Sequence, residues 1–236
     1  MPWRTGTVTA LRDETATART LVLEVAGWPG HVAGQHVDVR LTAPDGYSAT
    51  RSYSIASAPD GHRVELTVEE LPDGEVSPYL VREVAVGDPL ELRGPVGGWF
   101  LWRPEQPGPV QLVGGGSGLV PLMAMLRTHA GTGSGAPMRL LCSVRAPEAL
   151  LYRAELVERD VRIAYTRSAP PGCVRPPERV DARLLAEATW PPEQQPTCYV
   201  CGPTGFVETV ADLLVAAGHD AGRIRTERFG PSGGPR

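Results

Sequence analysis

The chain has 236 residues and a formal net charge of -4, long enough for two domains that each bury a core and without the electrostatic footprint of a nucleic-acid or anionic-membrane binder. All 23 basic residues are arginine, which excludes lysine Schiff-base chemistry and a phosphate-loop lysine outright. No apolar run approaches the ~18 residues of a membrane span, and Met1-Pro-Trp-Arg-Thr-Gly6 lacks an apolar signal core, so the expectation is a soluble cytoplasmic protein with no membrane span and no nucleic-acid partner.

Residues 1–104 read as all-β. Thr5–Leu11, Thr20–Val25 and His36–Leu41 alternate apolar and polar residues, with turns at Trp28-Pro-Gly30 and Pro44-Asp-Gly46. Arg51–Ala56, Val64–Glu69 and Pro89–Arg93 follow, with a short helix near Ser77–Glu83. Six short strands at this spacing predict a small antiparallel barrel. Around Arg103-Pro-Glu-Gln-Pro-Gly-Pro109 the composition turns to proline and polar residues, which places the domain boundary there and a second domain over 105–236.

Beyond the boundary strands alternate with helices: strand 110–113, helix 119–129, strand 138–144, helix 148–157, strand 161–166, helix 181–187, strand 197–201 and helix 204–217. That alternation predicts a parallel sheet covered on both faces. The first strand runs into Gly114-Gly-Gly-Ser-Gly118 and then a helix carrying Pro121 in its first turn. A strand, a glycine turn and a helix N-terminus make a place for phosphate, because the backbone comes close and the free N–H groups favour negative charge. The match to G-x-G-x-x-G is incomplete, with Pro121 in the third glycine's place. Cys198-Tyr-Val-Cys201 has C-x-x-C spacing, but in a strand the two thiols point to opposite faces, and no second pair exists. Structural thiols, and no metal, are expected.

Three stretches together resemble the ferredoxin–NADP reductase family, in family order over roughly residues 5 to 232. Arg51-Ser-Tyr-Ser54 is similar to that family's flavin-binding motif, Gly114–Pro121 to its pyridine-nucleotide loop, and Cys201-Gly-Pro203 with Glu227-Arg-Phe-Gly-Pro231 to its C-terminal segments. The resemblance implies an α+β two-domain protein, an N-terminal flavin-binding antiparallel β-barrel followed by a C-terminal α/β parallel-sheet nucleotide-binding domain. It implies FAD, with FMN as the alternative, and NADPH, with NADH as the alternative.

On the flavin side the resemblance points to Arg51, Ser52, Tyr53, Ser54, Val68, Gly74, Val76 and Ser77. Arg51 offers a fork of donors to a diphosphate, Tyr53 lays its ring beside the isoalloxazine, and Ser54 hydrogen-bonds near the reactive nitrogen. Period 2 puts Ser52 and Ser54 on the face opposite Arg51 and Tyr53, so the strand must bend or end there. Ser77 is alternatively an ordinary helix cap. Gly94–Phe100 resembles the segment that closes the barrel, with Trp99 and Phe100 read as packing residues. On the nucleotide side stand Gly115, Gly116, Ser117, Cys201, Gly202 and Pro203. Ser143, Arg145, Thr166 and Arg167 follow two strands where a 2′-phosphate would be gripped, and no acidic residue occupies those immediate strand ends. Phe229, in the tail, would cover the flavin ring. Ser54, Cys201 and Glu227 are the residues expected to tune the reacting geometry.

The iron–sulfur spacing C-x4-C-x2-C is absent, and no globin region is expected before the barrel. Electrons are therefore expected to leave to a separate acceptor (a ferredoxin, an oxygenase component or a haem protein) from a monomer. The alternatives are a flavin reductase using free flavin as substrate, an electron-transfer subunit of a larger complex, and a nucleotide sensor that reduces nothing; the flavin motif argues against the last.

Overall fold

In this computed structural model residues 1–157 and 159–230 are described. The chain divides into two compact units, one of Met1–Pro104 with Met123–Gly133, the other of Glu105–Leu122 with the residues from Ser134 onward.

In the first unit the alternating runs form β1 (Trp3–Thr15), β2 (Ala18–Val25), β3 (His36–Thr42), β4 (Ser48–Ser54) and β5 (Arg63–Glu69), then helix α1 (Ser77–Arg82) and β6 (Pro89–Val96). All pairings are antiparallel in the order β4-β3-β6-β1-β2-β5, and the two outer strands meet at an Ile55–Leu66 bridge. The sheet thereby curls into a barrel. Period 2 sends Val37 and Val39 into a core with Val8, Leu21, Leu23, Leu66 and Leu92. The opposite face of β3 carries a polar ladder in which Asp38 pairs with Arg93 at 2.7 Å and Arg40 with Glu91 at 2.7 Å. Both guanidiniums lie over the Trp3 ring, at 4.9 and 4.2 Å. That stacking helps hold β1 from Trp3, earlier than its apolar alternation predicts. The Gly94–Phe100 segment starts inside the sheet, where β6 runs through Val96 between β3 and β1. Phe100 packs, but Trp99 is 61% exposed.

The second unit contains β7 (Val110–Gly115), a 3₁₀ turn (Gly116–Gly118), the start of α2 (Leu119–Thr132), β8 (Met138–Val144), α3 (Arg153–Leu156), β9 (Val161–Tyr165), α4 (Ala182–Ala188), β10 (Thr197–Pro203), α5 (Thr204–Ala216) and β11 (Ile224–Phe229). Its five strands are all parallel, in the order β11-β10-β7-β8-β9. Every residue of β7 is buried, as a central strand covered on both faces requires. Asp181 caps α4 by accepting from the Leu184 N–H at 2.7 Å. Only the first turn of α2 belongs to this unit; its remainder belongs to the first, where Arg127 donates to the Ala56 carbonyl at 2.8 Å and to Glu65 at 3.0 Å.

Two sequence expectations are corrected here. A helix over 148–157 is replaced by a 3₁₀ turn Pro147–Ala149 and the four-residue α3. Leu150, Leu151 and Tyr152 are buried in succession, and Tyr152 takes φ 54°, which no right-handed helix can continue through. A fifth strand that the alternation did not predict, β11, carries Glu227 and Phe229 and pairs along its length with β10. The rest of the C-terminal segment, from residue 231 on, lies outside the described residues. No described helix is long and apolar enough to cross a membrane.

Candidate functional site

In the first unit β4 ends at Ser54, so the strand stops where the sequence requires it to bend or end. Arg51 and Tyr53 share one face. The Tyr53 ring packs against the barrel core, and burial pushes its hydroxyl up to about 12, against a smaller opposing effect of the Arg51 charge. Arg51 reaches outward and donates to the Thr50 carbonyl at 2.8 Å and to Glu75 at 2.6 Å. Ser52 and Ser54 lie on the other face. The Ser52 hydroxyl donates to Asp38 at 2.7 Å and so belongs to the polar ladder. Burial would raise the Asp38 carboxyl, but the Arg93 and Ser52 hydrogen bonds and the Arg93 charge prevail and hold it below its usual range. Ser54 is buried and pairs in register with His36. His36 in turn lies beside the Gly97 turn, where a Cβ would stand 3.6 Å from its Nδ1, and burial lowers its imidazole, partly offset by Asp38.

The Gly74–Ser77 segment is a tight turn. A Cβ on Gly74 would stand 2.9 Å from Ser77 Oγ and 3.0 Å from the Leu71 carbonyl. Ser77 is not the helix cap: Val76 holds that position with no side-chain cap, and Ser77 Oγ accepts from the Leu71 N–H at 3.0 Å. The side chains of Val68 and Val76 are committed to the barrel core.

In the second unit the expected nucleotide residues converge on one edge. Gly115, Ser143, Pro203 and Phe229 stand at or next to the carboxyl ends of parallel strands, with Arg145 just past β8 and Thr166 and Arg167 just past β9. Arg167 N–H donates to the Arg145 carbonyl at 2.9 Å, and Thr166 N–H to the Val144 carbonyl at 2.9 Å. Cys201 is in register with Gly114 on one side and Glu227 on the other. That edge is where open parallel sheets take ligands.

The glycines there do different work. A Cβ on Gly118 would come within 2.2 Å of the Cys201 carbonyl, and one on Gly115 within 2.7 Å of the Phe206 ring. Both permit close packing, and Gly118 does so against the backbone of β10 itself. Gly116, at φ 55° with nothing within 4 Å, forms the open turn. Cys201 is fully buried. Burial, then the Glu227 charge, push its thiol well above the ordinary value, against an opposing Gly202 backbone hydrogen bond. Cys198 is also buried, its thiol pushed up to about 12 by burial against the Arg223 charge, and both remain free thiols.

Phosphate-bearing cofactors fit both places. The first offers a guanidinium fork beside the first turn of α1, which no side chain caps. The second offers an open glycine turn that no side chain caps. Sequence reasoning missed three neighbours of these sites: Glu75 on Arg51, His36 opposite Ser54, and Phe206 against Gly115 and Gly202. Glu75 lies between Gly74 and Val76, both singled out from the sequence, and is legible there as a carboxylate among the expected flavin residues. The other two depend on register and loop path.

Residues 10–101 match the oxidoreductase FAD-binding domain family and residues 112–212 the oxidoreductase NAD-binding domain family. The chain is 30% identical over 240 residues to the ferredoxin–NAD(P)(+) reductase component of naphthalene 1,2-dioxygenase/salicylate 5-hydroxylase systems from a Ralstonia species, covering 97% of this chain and 69% of that protein. It is 33% identical to a flavohemoprotein of Chromobacterium violaceum, covering 97% of this chain and 61% of that one. The chain thus spans between three fifths and seven tenths of the length of these two relatives. Among solved structures it is similar to the flavohem-like FAD/NAD binding domain of nitric oxide dioxygenase from Vibrio cholerae, with a TM-score of 0.85, 28% identity, and coverage of 97% of this chain and 99% of that one. Two domain families matched in order, over a barrel and a parallel sheet whose strand ends carry the expected residues, have one consequence: the chain belongs to the ferredoxin–NADP reductase family of FAD- and NAD(P)-dependent oxidoreductases.

Proposed function

We propose that this chain takes a hydride from NADPH, in preference to NADH, onto FAD and delivers the electrons to a separate acceptor, such as a ferredoxin or an oxygenase component. Bound flavin supplies the redox chemistry, two-electron on the nicotinamide side and one-electron on the acceptor side. The chain's own residues bind, orient and exclude water. Arg51 holds flavin phosphate, Tyr53 lies along the ring system, and Ser54 offers its hydroxyl and backbone near the reacting nitrogen. The Gly115–Ser117 turn holds the nucleotide's phosphates. Cys201 stays a protonated thiol and packs as a small apolar group, with Gly202, Pro203 and Glu227 beside it. No side chain needs to move a proton at the hydride step, so positioning carries the rate.

What supports the NADPH preference is the backbone hydrogen bond from Arg167 to the Arg145 carbonyl, just past β9 and β8, between two exposed arginines of the kind a 2′-phosphate needs. The test is anaerobic reduction followed by flavin absorbance. NADPH should bleach the flavin at lower concentration than NADH, and Arg145→Ala with Arg167→Ala should raise the NADPH requirement about tenfold while leaving NADH unchanged. Equal losses with both nucleotides would refute the preference. The Arg51–Glu75 pair favours a second reading, in which flavin is held loosely and used as a substrate; a colourless purified protein that reduces added flavin would establish it.

A further inference from the structure

Arg51 already has a carboxylate on it. Its Nη2 donates to Glu75 Oε2 at 2.6 Å, and the Tyr47 hydroxyl donates to Glu75 Oε1 at 2.7 Å. Both oxygens of Glu75 are thus engaged from β4 and from the turn before it. The three parts are held separately. Tyr47 is fixed by its own turn, its N–H donating to Asp45 at 3.0 Å and its carbonyl accepting from Ala43 at 2.8 Å. Glu75 stands between the Gly74 turn and the fully buried Val76, so its backbone has little freedom to withdraw. Arg51 and Glu75 are each about half exposed in their side chains, at 47% and 48%, and open to an arriving ligand.

We propose that Glu75, braced by Tyr47, is an electrostatic latch on Arg51 that competes with the phosphate of the flavin and so sets how tightly this chain retains it. The inference rests on Arg51 being the flavin-phosphate residue. A phosphate reaching Arg51 must either displace the carboxylate or share the guanidinium with a group of its own sign, and both cost affinity. The Tyr47 and Arg51 hydrogen bonds hold the Glu75 carboxyl below its ordinary range, so the opposing charge is present at neutral pH. An ordinary exposed ion pair contributes little to stability. Its consequence here is for the ligand.

The test is titration of this chain, freed of flavin, with FAD, FMN and riboflavin, followed by quenching of flavin fluorescence. Glu75→Gln keeps the shape and the Tyr47 hydrogen bond but removes the charge. It should tighten FAD and FMN about threefold, leave riboflavin unchanged, and lose that gain as salt screens the charges. Tyr47→Phe, which frees the carboxylate, should move in the same direction. Arg51→Ala should weaken FAD, and Glu75→Gln should add nothing to it. If Arg51→Ala binds FAD like the parent, Arg51 is not the phosphate residue and both the reading and the latch fall. If Arg51→Ala weakens FAD while Glu75→Gln leaves it unchanged or weakens it, the latch alone is overturned.

Discussion

Replacing Gly118 by alanine isolates the packing function of the glycine loop. The added Cβ would stand 2.2 Å from the Cys201 carbonyl oxygen, 2.4 Å from its carbon and 2.6 Å from the Gly202 nitrogen, where ordinary contact begins at 3.4 Å. All three are backbone atoms of β10, which is hydrogen-bonded to β7 on one side and β11 on the other. No side chain can swing aside, so the loop or the sheet must move. Overpacking of this kind costs about 1–3 kcal/mol, and an immovable obstacle puts it at the upper end. For a chain of this size that is a fall in melting temperature of roughly 6–12 °C. Gly116→Ala, in open space at φ 55°, should cost only the left-handed penalty of about 1–2 kcal/mol. Gly131→Ala, inside α2 with nothing within 4 Å, should stabilise by about 0.5–1 kcal/mol. Thermal unfolding followed by circular dichroism should therefore rank Gly131→Ala above the parent, then Gly116→Ala, then Gly118→Ala. A Gly118→Ala protein that melts with the parent would refute the close approach of loop and strand.

Thiol titration of the native protein at pH 8 should modify only the exposed Cys173, since Cys142, Cys198 and Cys201 are buried with thiols raised chiefly by desolvation; rapid reaction of a second thiol before unfolding would contradict this. His31 accepts from Trp28 Nε1 at Nδ1, 3.2 Å away, and has its Nε2 3.1 Å from the Ser57 carbonyl, an arrangement that requires the neutral ring. Burial lowers its pKa below 6.5 against the opposing Ser57 hydrogen bond, so the stability it confers is full above 6.5 and is lost as pH falls from there toward its folded value. Urea unfolding between pH 7 and pH 5 should show declining stability, with a shallower slope in His31→Gln; some slope persists because His36 and His219 are shifted in the same direction. An unchanged slope in His31→Gln would remove His31 from the account.

Strands with one buried face announce themselves by period 2, and β3, with Val37 and Val39 inward and Asp38 and Arg40 outward, was legible for that reason. The strand–glycine–helix passage at 110–132 was equally legible, because β7 is apolar throughout and glycine marks its end. β11 was not. Ile224 and Phe229 are its only large apolar residues, and an edge strand with one neighbour needs no more. Nor was the break at Tyr152, since an apolar run reads as a helix until tertiary packing forces a left-handed residue into it. The site shows the same division. The identities of Arg51, Tyr53 and Ser54 stand in the sequence, whereas the pairing of Ser54 with His36 and of Arg51 with Glu75 depends on register and on the path of a turn.

The distance in sequence between the glycine loop, Cys201-Gly-Pro203 and Glu227 disappears in a parallel sheet, because every strand delivers its carboxyl end to the same edge. Cys201 lies in register with both Gly114 and Glu227, so backbone hydrogen bonds alone bring the three stretches together. The cost is crowding, which is why Gly115 and Gly118 admit no Cβ without a clash. In the proposed reading, discrimination between nucleotides falls to side chains that the sheet does not need, Arg145 and Arg167 beyond the strand ends, both exposed. Substitutions at the glycines should therefore act on folding first and on binding as a consequence. Substitutions at the arginines should act on nucleotide choice with the melting temperature unchanged, and a fold that tolerates the one class while failing under the other is what this division of labour requires.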